Sequence, residues 1–341
     1  MMNKYLEILN KLEEKPPPSR DDHIVLVDSL NTFIRNFTIL KSMNPGGHHI
    51  GGLVGFLRSL GYLVRTLDPT RMICVFDGRG SSMNRKNMNS DYKANRENMR
   101  ITNWGMFDSR AEEKESMSAQ INRLSDYLEV LPVGLMTYDK VEADDVISFI
   151  AQTKAAEGSK ITIVSSDKDF LQIVNPNIRV YAPIKRKLID SSNIEEYLGM
   201  HPTNYLVAKA LLGDHSDNLA GVKGLGKKSL VKFFPDLVDV PGQSLDYVYN
   251  ICEDRLISRK IFAKIIYEWE KVEMNYKLMD IQTPRLIDDE KETILEDLDT
   301  QAYNLNTGAF LRFMEQDKIE GITNNTEAWL ETFRPLTLPK N

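Results

Sequence analysis

Along the first two hundred residues, apolar positions fall into short runs separated by stretches of helical periodicity. His23–Val27, Met72–Phe76, Lys160–Val164 and Ile178–Tyr181 are runs of four or five residues, the length and composition of buried strands. Between them, Ile50–Leu60, Ser116–Leu128 and Glu142–Ala156 repeat apolar residues at three- and four-residue intervals, which predicts helices. That alternation predicts an α/β domain built on a mostly parallel sheet. Ahead of it, Tyr5, Ile8, Leu9 and Leu12 mark one face of a helix over 3–14, and Pro16, Pro17 and Pro18 form a stiff spacer. The stretch 78–115 is polar and basic, with Arg79, Arg85, Lys86, Lys93, Arg96, Arg100 and Arg110, and reads as a mobile insertion outside the core. Beyond residue 195 strands are expected to stop. Helical segments take over around a Gly-rich turn at Gly221–Gly226, with a long helical region over 244–279. The predicted organisation is an N-terminal helix and spacer (1–20), an α/β core (21–195), a helical region (196–280) and an acidic, helical tail (281–341). In that tail Trp329, Leu330 and Phe333 suit either docking on a partner protein or packing against the chain's own core.

Composition narrows the class. Of 341 residues, 42% are apolar and 27% charged, the balance of a folded globular chain rather than a disordered one. No apolar run reaches the length of a membrane span, and the first twenty residues lack the apolar centre of a signal peptide. Cys74 and Cys252 are too few for a disulfide framework or a structural zinc site. The expectation is a reducing, cytoplasmic compartment and no membrane partner. Net charge is −6, but residues 286–299 alone contribute −6. Setting aside that segment and the nine candidate ligands below leaves 42 basic against 33 acidic residues. An acidic total therefore does not exclude nucleic acid.

Two predicted strands end in Asp, giving Asp28 and Asp77, and a third runs into Asp167 and Asp169. In an open parallel sheet, ligands collect beyond the carboxyl ends of the strands. Glu142, Asp144 and Asp145 open a predicted helix, with Glu142 and Asp145 on one side at i, i+3. Helix-dipole complementarity accounts for one or two of these three acids. Asp214 and Asp217 share that spacing in GDHSDN, where a polar turn or N-cap is the simpler reading in isolation. Nine carboxylates brought together would raise one another's pKa unless cations intervene, and hard divalent ions such as Mg²⁺ or Mn²⁺ suit oxygen ligands. The adjacent His48 and His49 diverge and make a poor metal pair.

Residues 221–229, GVKGLGKKS, approach a Walker A loop, but Lys228 stands where the magnesium-binding hydroxyl belongs and no strand precedes it. Exposed backbone N–H groups beside Lys223, Lys227 and Lys228 read instead as a hairpin between helices that grips a nucleic-acid backbone.

Six motifs in order (VLVDSLNTFIR, VFDG, YKANR, VEADDV, SSDKDFLQIV and GDHSDNLAGVKGLGKKSL) span residues 25–230. In order and content they resemble the 5′ nuclease, or flap endonuclease, family, and within it the stand-alone phage-type 5′–3′ exonucleases and ribonucleases H. The resemblance implies a PIN-like nuclease core, an arch over the active site, and a helix–three-turn–helix DNA-binding motif. It implies that Asp28, Asp77, Glu142, Asp144, Asp145, Asp167, Asp169, Asp214 and Asp217 hold two metal ions, the first five carrying the inner pair. It further implies that Lys93, Arg96 and Arg35 act on the scissile strand. Lys223, Gly224, Gly226, Lys227, Lys228 and Ser229 would contact duplex DNA, with K⁺ held by hairpin carbonyls. Lys227 departs from a common Pro and Ser166 from a common Gly. The implied substrates are 5′ flaps, branched DNA and RNA–DNA hybrids. A single-strand-binding protein or sliding clamp is the implied partner class, and a monomer the implied state. An inactive branched-DNA-binding protein is the alternative, weakened because no expected carboxylate is missing. A nucleotide-driven enzyme lacks the Walker hydroxyl, and a small PIN ribonuclease would lack residues 196–279.

Overall fold

The computed structural model describes residues 19–94, 102 and 105–337. The helix expected over 3–14, Arg96 and Arg100 lie outside the described residues. The chain runs through β1 (His23–Asp28), α1 (Ser29–Ile39), α2 (Gly51–Leu67), β2 (Arg71–Asp77), α3 (Met83–Met88), α4 (Arg110–Glu129), β3 (Gly134–Tyr138) and α5 (Ala143–Ala156). It continues through β4 (Lys160–Val164), β5 (Ile178–Ala182) and β6 (Lys187–Ile189). The six strands form one sheet in the order β3-β2-β1-β4-β5-β6, all parallel except β6. Four of these strands match the apolar runs. The other two, β3 and β6, escape a search for apolar runs because both are edge strands: β3 has Gly134 and Thr137 interrupting its apolar positions, and β6 is only three residues long.

Strand side chains alternate between faces, and the two faces build separate cores. Ile24, Leu26, Ile73, Val75, Ile161 and Ile163 point to one side, where Val146, Ile147 and Ile150 of α5 cover them. Val25, Val27, Met72, Cys74 and Val164 point to the other, against Phe33, Phe37, Phe56 and Leu60 of α1 and α2. Both faces are covered, as a parallel sheet requires.

The region beyond residue 195 is mainly helical: α6 (Ile194–Leu198), α7 (Tyr205–Leu212), α8 (Lys227–Phe233), α9 (Asp236–Asp239), α10 (Leu245–Asp254), α11 (Lys260–Tyr267) and α12 (Trp269–Met279). The expected long helical region is thus three helices, α10 to α12. The expectation that strands stop at 195 fails locally, because β7 (Gly213–Asp214) and β8 (Leu219–Ala220) pair as a short antiparallel hairpin. The buried Asn275 of α12 ties this hairpin to α7, donating to the carbonyls of Ala210 and Ala220 at 3.0 Å each.

The described residues beyond 281 are no appended tail. Of α13 (Asp288–Thr300), Ile294 and Leu298 enter the first core. Phe310 and Met314 of α14 (Thr307–Gln316), Trp329 and Leu330 of α15 (Thr326–Glu331), and Phe333 enter the second. That packing settles Trp329, Leu330 and Phe333 as core, against the partner-docking alternative. Trp329 lies against Gly61 of α2, where any Cβ would overlap the indole nitrogen. Among the described residues no helix is long and apolar enough to cross a membrane.

Candidate active site

Strand order reverses between β1 and β4, so a crevice opens where their carboxyl ends diverge. Asp28 closes β1 at that crevice. Its Oδ1 accepts from the Asn31 N–H at 3.2 Å, capping α1, and its Oδ2 accepts from Ser165 Oγ at 2.7 Å. The same Ser165 hydroxyl accepts from the Asp167 N–H at 2.9 Å, and Asp167 Oδ1 accepts from the Asp169 N–H at 2.8 Å. Asp77 ends β2 and its Oδ1 accepts from the Ala143 N–H at 2.9 Å, seating the first turn of α5 beside the strand ends. Gly78 follows because a side chain there would collide with the Tyr138 carbonyl.

Asp28, Asp77, Asp144 and Asp167 feel one another's charge. Burial, followed by the charges of Asp77 and Asp167, pushes Asp28 up to about 7 against the bonds from Ser165 and Asn31. Asp144 lies well above the ordinary carboxylate range, through burial first and then Asp167 and Asp28. Hard oxygen donors in mutual repulsion, with Asp28 buried, Asp144 and Asp167 half-buried and Asp77 open to solvent, form the environment that divalent cations relieve.

Four of the other five carboxylates, Glu142, Asp145, Asp169 and Asp214, are divided among basic side chains, while Asp217 enters the site through its backbone carbonyl. Arg85, 3% exposed, spans Asp145 in a two-pronged pair at 2.9 and 3.1 Å and also pairs with Glu142. Asp145 accepts in addition from the Arg285 N–H at 3.1 Å. Glu142 pairs with Lys93 Nζ at 2.9 Å. The i, i+3 prediction for Glu142 and Asp145 thus holds, but the shared neighbour is Arg85, and Asp144 is the one that faces Asp28. Lys209 of α7 bridges Asp169 and Asp214, the latter at 2.9 Å. Burial alone would depress Lys209; the two carboxylates outweigh it and hold the ammonium above the ordinary lysine value. Asp169 is raised to about 7 by burial and Asp167, whereas Asp214, despite its burial, is drawn to about 2 by Lys209 and Ser216. Among the described residues no three His, Cys, Asp or Glu side chains stand close enough as arranged to grip one ion. Lys93, Arg85 and Lys209 supply the counter-charge in this arrangement.

The insertion is less peripheral than its composition predicts. Arg85, Tyr92 and Phe107 are buried, and its last six residues start α4. Lys93 sits at φ 53°, a left-handed backbone. Its N–H donates to the Asp217 carbonyl at 2.9 Å, and Asn218 Nδ2 donates to the Asp91 carbonyl at 2.8 Å. The β7–β8 turn therefore clasps the base of the insertion and aims Lys93 at Glu142. Tyr92 packs beneath the clasp with Leu206, Leu219, Leu278 and Met279.

Two predicted roles do not fit their placement. Arg35 points away from the carboxylates into a pocket beside Tyr181. Lys227 is turned back on the protein, donating to the Leu198 carbonyl at 2.8 Å. Lys223, Gly224, Gly226 and Lys228 remain on the exposed rim of the hairpin, with Ser229 half-buried behind them. His49 is a structural residue that bonds the Leu40 carbonyl at 2.7 Å and Gln120 at 3.1 Å.

Residues 23–199, just over half of the chain, match the model of the 5′–3′ exonuclease N-terminal, resolvase-like domain. The chain belongs to the 5′–3′ exonuclease family. It is 26% identical to a 5′–3′ exonuclease of Aquifex aeolicus over 83% of this chain and 88% of that one. It is 29% identical over 230 residues to the DNA polymerase I of Rhizobium leguminosarum, spanning 65% of this chain but only about a fifth of that protein's length. The fold is that of the bacteriophage T5 D15 flap endonuclease, solved with DNA and metal ions, with a TM-score of 0.60 and 17% identity over 92% of this chain and 99% of that one.

Sequence reasoning missed Ser165, Lys209, Tyr92 and the pairing role of Arg85. Lys209 carried a signal, a lone cation in the apolar helix YLVAKALL, where a buried charge demands a partner.

Proposed function

We propose that this chain is a structure-specific, metal-dependent 5′ nuclease that hydrolyses phosphodiester bonds at the 5′ ends and flaps of branched DNA and of RNA–DNA duplexes. The observation that carries it is the delivery of Asp28, Asp77, Asp144 and Asp167 to one crevice, from two strand ends, the turn after a third strand and a helix start, with Asp28 and Asp144 pushed up by burial and by their neighbours. Those four would hold Mg²⁺ or Mn²⁺, with Asp169 and Asp214 extending the set toward Lys209. When bound, such ions neutralise charge on the phosphate and lower the pKa of a water. Lys93, drawn from Glu142 to the scissile phosphate, would offset charge that builds in the transition state. Arg85 would keep α5 and the insertion in register. Arg96, in the same YKANR motif as Lys93, is proposed beside it.

The exposed Lys223 and Lys228 would hold duplex phosphates, with K⁺ on hairpin carbonyls. An RNase H activity, a single-strand-binding protein or clamp as partner, a monomeric state and a cytoplasmic location complete the reading. The Aquifex relative's name supports the exonuclease part, and the T5 neighbour's DNA and metal ions support the substrate and cofactor class.

The test is a 5′-labelled flap duplex and an RNA–DNA hybrid incubated with and without Mg²⁺, using the parent and Asp144→Asn. Cleavage should require the metal and fall by orders of magnitude in the variant, while flap affinity in metal-free buffer holds or rises. Metal-independent cleavage, or near-normal cleavage by Asp144→Asn, would overturn the reading.

A further inference from the structure

Away from the carboxylates, α1, α2 and the β5–β6 turn enclose a cavity of about 380 Å³. Its polar walls are Arg35, Asn36, Arg58, Ser59, Tyr62, Tyr181 and Arg186, with Asn36 Nδ2 donating to Ser59 Oγ at 3.1 Å, and among the described residues no carboxylate lines it. Three guanidinium groups at one cavity repel one another unless an anion intervenes. Among the described residues none of the three pairs with an acid. Arg58 Nε is tied to the Ile322 carbonyl at 2.5 Å, which sets its direction without neutralising it. Arg35 is half-buried and its Nη1 is sealed from water without a hydrogen-bond partner, a cost that proteins seldom leave standing. Tyr62 and Tyr181 bond through their hydroxyls at 3.1 Å, and Arg186 lies over the Tyr62 ring at 5.7 Å. Arg186 holds this position from a left-handed backbone, φ 49°, that costs energy for any residue with a Cβ.

We propose that this cavity is a phosphate-binding site, separate from the carboxylate crevice and from the Gly-rich hairpin. Forked guanidinium groups with phenolic and seryl hydroxyls match the geometry and charge of a phosphate. The phosphate is either a free anion or one carried on a nucleic-acid strand, and the two arms of the test separate these sources. Only this last point, the carrier of the phosphate, rests on the nuclease reading.

Arg186→Gly isolates the site, because glycine suits the left-handed backbone while the guanidinium is removed. Arg35→Gln is the second variant and leaves the turn untouched. In the first arm, thermal unfolding of the full chain is followed in inorganic phosphate and in chloride of equal ionic strength. Phosphate should raise the parent's melting temperature by about 2 °C or more, and each variant should lose most of that shift. In the second arm, metal-free binding of a 5′-flap duplex is measured against salt. Each variant should weaken binding by about threefold to tenfold and lower the salt slope by about one. Loss of the phosphate response with unchanged duplex binding assigns the site to free phosphate. Equal phosphate responses in parent and variants, with unchanged affinity and slope, would overturn it. If the parent binds phosphate here yet cleaves no flap, the nuclease reading fails and the site stands.

Discussion

Arg85→Met tests whether the insertion is anchored by a buried charge network or merely rests on the surface. Methionine keeps the length of the stem and removes the guanidinium, which pairs with Asp145 through two bonds and with Glu142, carboxylates that are 3% and 2% exposed. Lys93 still neutralises Glu142, so the uncompensated charge falls on Asp145, whose remaining partner is the Arg285 N–H. Breaking a buried pair from one side costs about 3–5 kcal/mol, and the lost bond from Nε to the Leu278 carbonyl adds about 1 kcal/mol. Retention of Lys93 places the expected loss near the lower end, about 3–4 kcal/mol. Urea unfolding followed by far-UV circular dichroism measures it. The double variant Arg85→Met, Asp145→Asn should recover at least half of the loss, because an amide needs no counter-charge and still accepts from Arg285. A loss below about 1 kcal/mol in Arg85→Met, or a double variant equal to the sum of the singles, would refute the network.

Lys93→Ala should lower the single-turnover cleavage rate by about 10²–10³ with substrate affinity little changed; a rate within threefold of the parent would make Lys93 a steering charge only. Gly61→Ala should cost about 1–3 kcal/mol in denaturant unfolding, since Trp329 is held by Phe310 and Phe333, with ring centroids at 5.4 and 4.8 Å, and has nowhere to retreat. His23 is lowered to about 4 by burial, against its bond to the Asp68 carbonyl, so the folded state binds fewer protons than the unfolded one between about pH 4 and 6.5. Its contribution is present above 6.5 and lost as pH falls through 4. Replacement by Gln should flatten that limb by about 1–3 kcal/mol relative to the parent; the difference between the two profiles is the readout, because Asp28 and Asp169, raised to about 7, push the other way.

The parallel sheet was legible because β1, β2, β4 and β5 are buried on both faces, and such strands read as unbroken apolar runs. The acids were legible for a related reason: a strand that ends in Asp advertises the edge at which its sheet does chemistry. The partition of those acids was hidden, because it depends on cations from distant segments. Arg85 lies 60 residues from Asp145, and Lys209 lies 40 from Asp169. Polarity also misled. Arg85 counted toward a solvated insertion, yet its stem and head are buried, and the Arg35 expected at the crevice is carried by α1 to another face. The C-terminal helices looked like a tail since their apolar residues, few per helix, gain meaning only against a sheet that lies far away in sequence.

The four-residue turn 215–218 between β7 and β8 differs from most surface turns in how little its length can change. Loops of this kind are where insertions and deletions are usually absorbed. Here both ends are paired, Gly213 with Ala220 and Asp214 with Leu219, and both Asp217 and Asn218 reach across to the segment that carries Lys93. One residue more would rotate the Asp217 carbonyl and the Asn218 amide off their partners while leaving Asp214 on Lys209; one fewer would pull the strands out of register. Relatives that share the clasp should keep this turn at four residues even where its letters change, and a chain with a different count must position its lysine by other means.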